Sequence, residues 1–348
     1  MKRVINFISF ILIGLLLAGC STNDKLNDYS IAVIETSSND EKSLVTYYDD
    51  NLKKINSNFL DYAELGTNFY NPIYHDDQVY LVPRGLQGKH DEKKVISLNL
   101  TDGKNNEYDV NRNNIICTTT NDDYLFAASN LNHISYLTRI KYADKSEKEL
   151  SFKKEFLSLV AVSDQYVITF LTSAGNENVY SKINIYDIDK LELKKSIDIT
   201  ELGLTQTKYC LNNNILYFSN AYDKNDKPTN VLGVLDLNDL SLLKVVLECN
   251  YPDDIQYLAD DKLLISCTDV VMSDGTKLIE LDTKTKEQTI YDLGIPIMNI
   301  KVSKNNLFVL SSEYVLNVYN INDGMKLIES TEHKLTEGDY CSVIFTND

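Results

Sequence analysis

His75-Asp-Asp-Gln-Val-Tyr-Leu81, Asn121-Asp-Asp-Tyr-Leu-Phe126, Ser163-Asp-Gln-Tyr-Val-Ile168, Asn212-Asn-Asn-Ile-Leu-Tyr217, Asp260-Asp-Lys-Leu-Leu-Ile265 and Lys304-Asn-Asn-Leu-Phe-Val309 are six versions of one phrase. In each, a short polar turn is followed by a strongly apolar run. Asn and Asp bond their own backbone in tight turns, and alternating β-branched and aromatic residues suit strands, so each phrase predicts two antiparallel strands joined by a hairpin. The turn residues 77, 122, 164, 213, 261 and 305 are separated by 45, 42, 49, 48 and 44 positions. Their mean of about 45.6 residues is the length expected of a four-stranded propeller blade.

Working outward, a second phrase follows each of these hairpins after a loop. Its five clear cases are Ser97-Leu-Asn-Leu-Thr-Asp-Gly-Lys104, Ile185-Tyr-Asp-Ile-Asp189, Leu235-Asp-Leu-Asn-Asp239, Leu281-Asp-Thr-Lys-Thr285 and Val318-Tyr-Asn-Ile-Asn-Asp-Gly324. Each repeat therefore carries strands A to D, with tight A–B and C–D turns. Residues 30–348 number 319, and one seventh of that is again about 45.6. Six full repeats fill roughly 70–335 and leave three strands in front (Ile31–Thr36, Ser43–Tyr48, Lys53–Leu60) and one behind (Tyr340–Thr346). Pairing the C-terminal strand with the N-terminal three completes one blade and removes the open sheet edge at the seam. The expectation is an all-β, seven-bladed β-propeller. Only Ser146–Phe156 offers a helical candidate, and its charges also suit a strand pair.

The first nineteen residues are read apart from the fold. Lys2 and Arg3 precede an apolar run, Val4 to Leu16, too short for a comfortable membrane span, and Leu17-Ala18-Gly19-Cys20 follows. This order of features resembles the signal peptide and lipobox of bacterial lipoproteins. The resemblance implies cleavage before Cys20, a covalent diacylglycerol on its thiol, added palmitate-type acyl chains, and a place on the extracytoplasmic face of the cell membrane. Residues 20–29 then read as a polar tether and 30–348 as the propeller domain.

The chain has 34 basic and 51 acidic side chains, a formal charge of −17 that becomes −19 once Lys2 and Arg3 are removed. With no basic stripe, nucleic acid is excluded as a partner. After Cys20, five cysteines remain, at 117, 210, 249, 267 and 341. Their number is odd and their spacing matches neither C-x-x-C nor a zinc pattern, so they read as buried thiols. A monomer is expected.

The turns Leu98-Asn-Leu-Thr-Asp-Gly-Lys104 and Tyr319-Asn-Ile-Asn-Asp-Gly-Met-Lys326 resemble the repeat of quinoprotein-like and amine-dehydrogenase-like propellers. This chain departs from that family in having no Trp, so the tryptophan floor that supports a quinone is missing and no quinone cofactor is expected. Lactonase-like propellers are similar in architecture and hold a divalent cation in the channel with residues from several blades. That resemblance implies an alternative activity, a metal-dependent hydrolase or lyase. None of the compact catalytic motifs occurs, neither G-x-S-x-G, nor H-E-x-x-H, nor a phosphate loop. His75, at a hairpin turn, and His333, in the last linker, read as ordinary surface residues. Asp223 to Asn230 loosely resembles a calcium loop but lacks the Gly and the closing Glu. An exposed loop is the expectation there, with calcium as the alternative.

Loop length points to one face. The B–C connections read as long at Pro83–Lys94, Thr172–Asn178, Ala221–Asn230 and Asp269–Gly275, whereas the A–B and C–D turns offer little to a partner. Function concentrates on loops held by a rigid scaffold. Arg84, His90, Glu177, Asp223, Asp226 and Asp274 are the candidate contacts, and an envelope or surface protein or glycan is the expected partner.

Overall fold

The computed structural model describes residues 26, 29–38, 41–84, 93–175, 179–204 and 206–347, and Cys20, His90 and Glu177 lie outside them. The described residues form 28 strands in seven four-stranded antiparallel sheets, with two single 3-10 turns and no α-helix. The chain is a seven-bladed β-propeller. Strands β1 (Ile31–Thr36), β2 (Ser43–Tyr48) and β3 (Lys54–Leu60) make blade 1 with β28 (Tyr340–Thr346), which pairs antiparallel to β1 as the innermost strand. Blades 2 to 7 follow in chain order. Their inner strands are β4 (Ile73–His75), β8 (Ile115–Thr120), β12 (Glu155–Val162), β16 (Tyr209–Asn212), β20 (Pro252–Leu258) and β24 (Ile297–Ser303).

The turn chemistry acts as its residues suggest. Asp76–Asp77, Asn213–Asn214 and Asp260–Asp261 all hold positive φ, between 48° and 62°. Two consecutive left-handed residues define a type I′ hairpin, which Asn and Asp tolerate better than most residues. At the C–D turns the last residue of strand C repeatedly caps the bend. Asn99 accepts from Thr101 N at 2.9 Å, Asp187 from Lys190 N at 2.9 Å, Asp236 from Asn238 N at 2.8 Å, Asp282 from Lys284 N at 2.8 Å and Asn320 from Asn322 N at 3.0 Å. Much of the acidic composition is therefore turn structure.

Seven apolar clusters occupy the seven blade interfaces, one each. Phe and Tyr supply the aromatic contacts at these interfaces. Phe170 of blade 4 meets Phe218 of blade 5 edge-to-face at 5.0 Å between ring centres, and Tyr29 meets Tyr47 at 5.0 Å between blades 1 and 2. Gly233 lies against the Phe218 ring with no room for a Cβ.

Three expectations change. Ser146–Phe156 is not helical: β11 (Glu147–Lys153) is the outer strand of blade 3, β12 opens blade 4, and Lys154 turns between them at φ 61°. An isolated charged helix of this length is marginal in water, whereas β11 and β12 each gain a paired neighbour in their blades. The connection at Asp269–Gly275 is short, because β21 (Lys262–Asp269) and β22 (Asp274–Asp282) stay paired out to Asp269 opposite Asp274. His333 is not a surface residue but is buried at the seam, 2.7 Å from the Tyr48 hydroxyl and 3.2 Å from Glu35. Burial weighs against the Glu35 carboxylate, but the hydroxyl and N–H of Thr336, with Asp339 and His333, outweigh it and hold the carboxyl below its ordinary value. Burial depresses the His333 imidazole against the pull of Glu35.

Candidate functional site

Strand direction divides the propeller into two faces. Inner strands run from the D–A connections to the A–B turns, so one face carries the B–C and D–A loops and the other the tight turns. The ring encloses a cavity of about 370 Å³ that touches all seven inner strands. Its lining favours their C-terminal ends, including Thr120, Val162, Tyr257, Val302 and Thr346, so its mouth opens on the turn face. Toward the loop face, Tyr70 from the β3–β4 connection reaches inward and packs against the clusters on both sides of blade 4. The tight turns, expected to offer little, surround the opening of this central cavity.

Two of the cavity's lining residues, Lys208 and Lys301, are charged. Lys208 Nζ donates to Asp253 Oδ2 at 2.6 Å, with both side chains nearly lost to solvent at 0 % and 4 %. Burial pushes the Asp253 carboxyl up to about 6 against the pull of Lys208. Burial also opposes the Lys208 ammonium, yet Asp253 and Asp254 outweigh it and hold its pKa above the ordinary lysine value. Asp254 accepts from Asn71 Nδ2 and Gln256 Nε2, both at 2.8 Å on one oxygen, and from Ile300 N at 3.4 Å on the other. Lys301 lies on the neighbouring inner strand with its ammonium 5.3 Å from the centre of the Tyr74 ring.

This donor set does not match a divalent cation. A calcium or magnesium ion needs several free oxygen ligands. Here one carboxylate is taken by Lys208, the other is engaged by three N–H donors, and a second ammonium faces the same space. On the turn face, His75 Nε2 stands 3.2 Å from Asp122 and 3.4 Å from Asp76, within reach of a shared cation. Three donors on an open surface fall one short of a closed tetrahedral zinc set. The five thiols after Cys20 are all unpaired, and burial pushes Cys117 and Cys210 up to about 12, far from the thiolate form that reacts.

Of the residues expected on the loop face, Arg84, Asp223, Asp226 and Asp274 lie on that side. Asp223 and Asp226 share one loop of blade 5 and Asp274 stands on adjacent blade 6, whereas Arg84 belongs to blade 2. Asp223 accepts from Asn225 N at 2.7 Å and Lys227 N at 2.9 Å, so one carboxyl oxygen shapes its own loop. The loop is further fixed by an isolated bridge from Tyr222 to Pro228, by the Tyr222 hydroxyl donating to Asp269 at 2.6 Å, and by Tyr222 packing edge-on to Tyr251. Asp269 also accepts from Val271 N at 3.0 Å, which lifts Val271 and Met272 out at 68 % and 73 % exposure.

Sequence reasoning missed Lys208, Asp253, Asp254 and Lys301. Lys301 carried a signal: it is a lone cation inside the apolar run Ile300-Lys-Val302 of an inner strand. The channel-facing side of an inner strand is where a charge in such a run can find other polar groups.

Fold and channel together define a class, the seven-bladed β-propellers with a polar central cavity. No protein-family model matches the chain, and no curated protein matches it in sequence. Solved structures do. A Bacteroides uniformis protein described as a 6-phosphogluconolactonase shares 13 % identity at a TM-score of 0.61, over 92 % of this chain and 99 % of that one. A functionally unknown Desulfotomaculum acetoxidans protein shares 12 % at 0.62, over 91 % and 99 %. BamB from Moraxella catarrhalis shares 12 % at 0.50, over 91 % and 90 %. At these identities the likeness is one of fold.

Proposed function

We propose that this chain is a membrane-tethered, extracytoplasmic binding propeller, lipidated at Cys20, that presents its loop face to an envelope or surface protein or glycan. The observation that carries this reading is where the chain enters the fold. Leu26 N donates to Thr101 O at 2.9 Å in the C–D turn of blade 2, and the Leu26 side chain is buried beside Gly103. The path back to Cys20 thus starts on the turn face. Six residues span at most ~20 Å, so a lipid at Cys20 would hold the turn face toward the membrane and direct the loop face away from it. Val271 and Met272, raised beside the braced blade 5 loop, supply the apolar centre that protein interfaces favour, with Asp223, Asp226 and Asp274 as a polar rim.

The test has two parts. Metabolic labelling with palmitate should mark the wild-type protein and fail on Cys20→Ala, which should leave the membrane fraction. In-cell cross-linking should then capture a recurrent partner that is lost in Val271→Asp/Met272→Asp with the melting temperature unchanged. Equal capture by that variant would refute the assigned face, and membrane retention of Cys20→Ala would refute the anchor.

A further inference from the structure

We infer that the central cavity is a binding site for a small anion, a molecule carrying a phosphate or carboxylate group, with Lys301 as its charged anchor. The charges at the channel are unequally matched. Lys208 is spent on Asp253, and Asp254 is engaged by Asn71, Gln256 and the backbone of Ile300. Lys301 is left over. Its side chain is only 6 % exposed, it lines the cavity, and among the described residues its ammonium has no hydrogen-bond acceptor and no carboxylate at ion-pair distance. Its one direct neighbour of note is the face of Tyr74, which holds a cation weakly and accepts no conventional hydrogen bond.

An ammonium carries three donors, and for Lys301 their acceptors have to come from what fills the cavity. Water filling the cavity can supply some of them, and an anionic ligand supplies them together with opposite charge. Burial and, at longer range, Lys208 depress the Lys301 ammonium against the pull of Asp254, and an anion beside it would pull the same way as Asp254. A second donor stands across the cavity. The Thr119 and Tyr209 hydroxyls lie 3.0 Å apart, and one hydrogen joining them leaves the other free to donate inward. The volume of about 370 Å³ is at the lower end of small-molecule sites, so the ligand is small. This site is separate from the loop face, and either reading can fail without the other.

The experiment is calorimetric titration of the detergent-solubilised full chain. Glycerol 3-phosphate in solution and phosphatidylglycerol in nanodiscs distinguish a free phosphate compound from a lipid headgroup of the same chemistry, and the controls of zero net charge are glycerol and zwitterionic phosphatidylcholine. Saturable binding of either anion is expected, weakened about tenfold or more by Lys301→Gln and largely kept by Lys301→Arg. Val271→Asp should bind as wild type does. A second measurement uses wild-type protein alone: saturating anion should shield Lys301 from amine acylation, read by peptide mass spectrometry, while surface lysines react as before. No anion binding, or equal binding by wild type and Lys301→Gln, would overturn the proposal, as would acylation of Lys301 undiminished by the ligand.

Discussion

Replacing Lys208 by Met tests the charged wall of the channel directly. The change keeps much of the side-chain volume and removes the ammonium that lies 2.6 Å from Asp253, in a place where neither partner reaches solvent. Removing one member of such a buried pair costs about 3–5 kcal/mol, since the carboxylate left behind has lost its counter-charge. For a domain of some 320 residues, an unfolding entropy of roughly 2.1 cal/mol/K per residue converts this to a melting temperature about 4–7 °C lower at pH 7.5. The loss should shrink on acidification. Asp253 is already held up to about 6 with Lys208 in place, and the variant moves it further up. A carboxyl whose folded pKa is raised contributes stability that is fully present below the unfolded value of about 3.9 and is lost as pH rises through the folded one. At pH 5 the orphaned group is therefore protonated in the native state, and the remaining cost is a lost hydrogen bond of about 1–2 kcal/mol. Lys208→Met/Asp253→Leu, which removes both charges, should return to within about 1 kcal/mol of wild type at pH 7.5. Melting followed by circular dichroism at both pH values reads all three proteins. A fall of under a degree at pH 7.5, or an equal fall at pH 5, would show that the pair is not buried as described.

Two further outcomes follow from the packing. Gly233→Ala sets a methyl group against the Phe218 ring, which is itself held by Phe170, and should destabilise the protein by about 1–3 kcal/mol in urea titration; wild-type stability would mean the ring can move aside. At the seam, His333 has a folded pKa below its unfolded value, so its contribution is present above about 6.5 and is lost as pH falls through the folded value. His333→Gln should accordingly cost more at pH 7.5 than at pH 5.5, and a gap that stays constant across that range would contradict a buried neutral imidazole.

What the sequence determined is the part of the protein governed by local chemistry repeated in register. Asp76–Asp77, Asn213–Asn214 and Asp260–Asp261 specify hairpins wherever they occur, because their side chains favour the left-handed turn without help from distant residues. Once such turns recur at blade length, the count of seven and the split first blade follow from chain length. The strand ends Ile31–Thr36 and Tyr340–Thr346 were readable for the same reason. Loop length also showed, but not how far pairing would extend, and Asp269 opposite Asp274 closed one loop that looked open.

The tertiary structure decided everything that depends on which side chains meet across the ring. Lys208 and Asp253 are 45 residues apart, Asn71 and Asp254 are 183 apart, and Glu35 and His333 are 298 apart. No local pattern marks such partners, because closing the ring brings seven inner strands together at one axis from positions spread along the whole chain. The identity of the turn face as the side where the chain enters and the cavity opens has the same origin. It follows from the direction of the inner strands and from the docking of Leu26 on a turn 75 residues further on, neither of which any single stretch of sequence encodes.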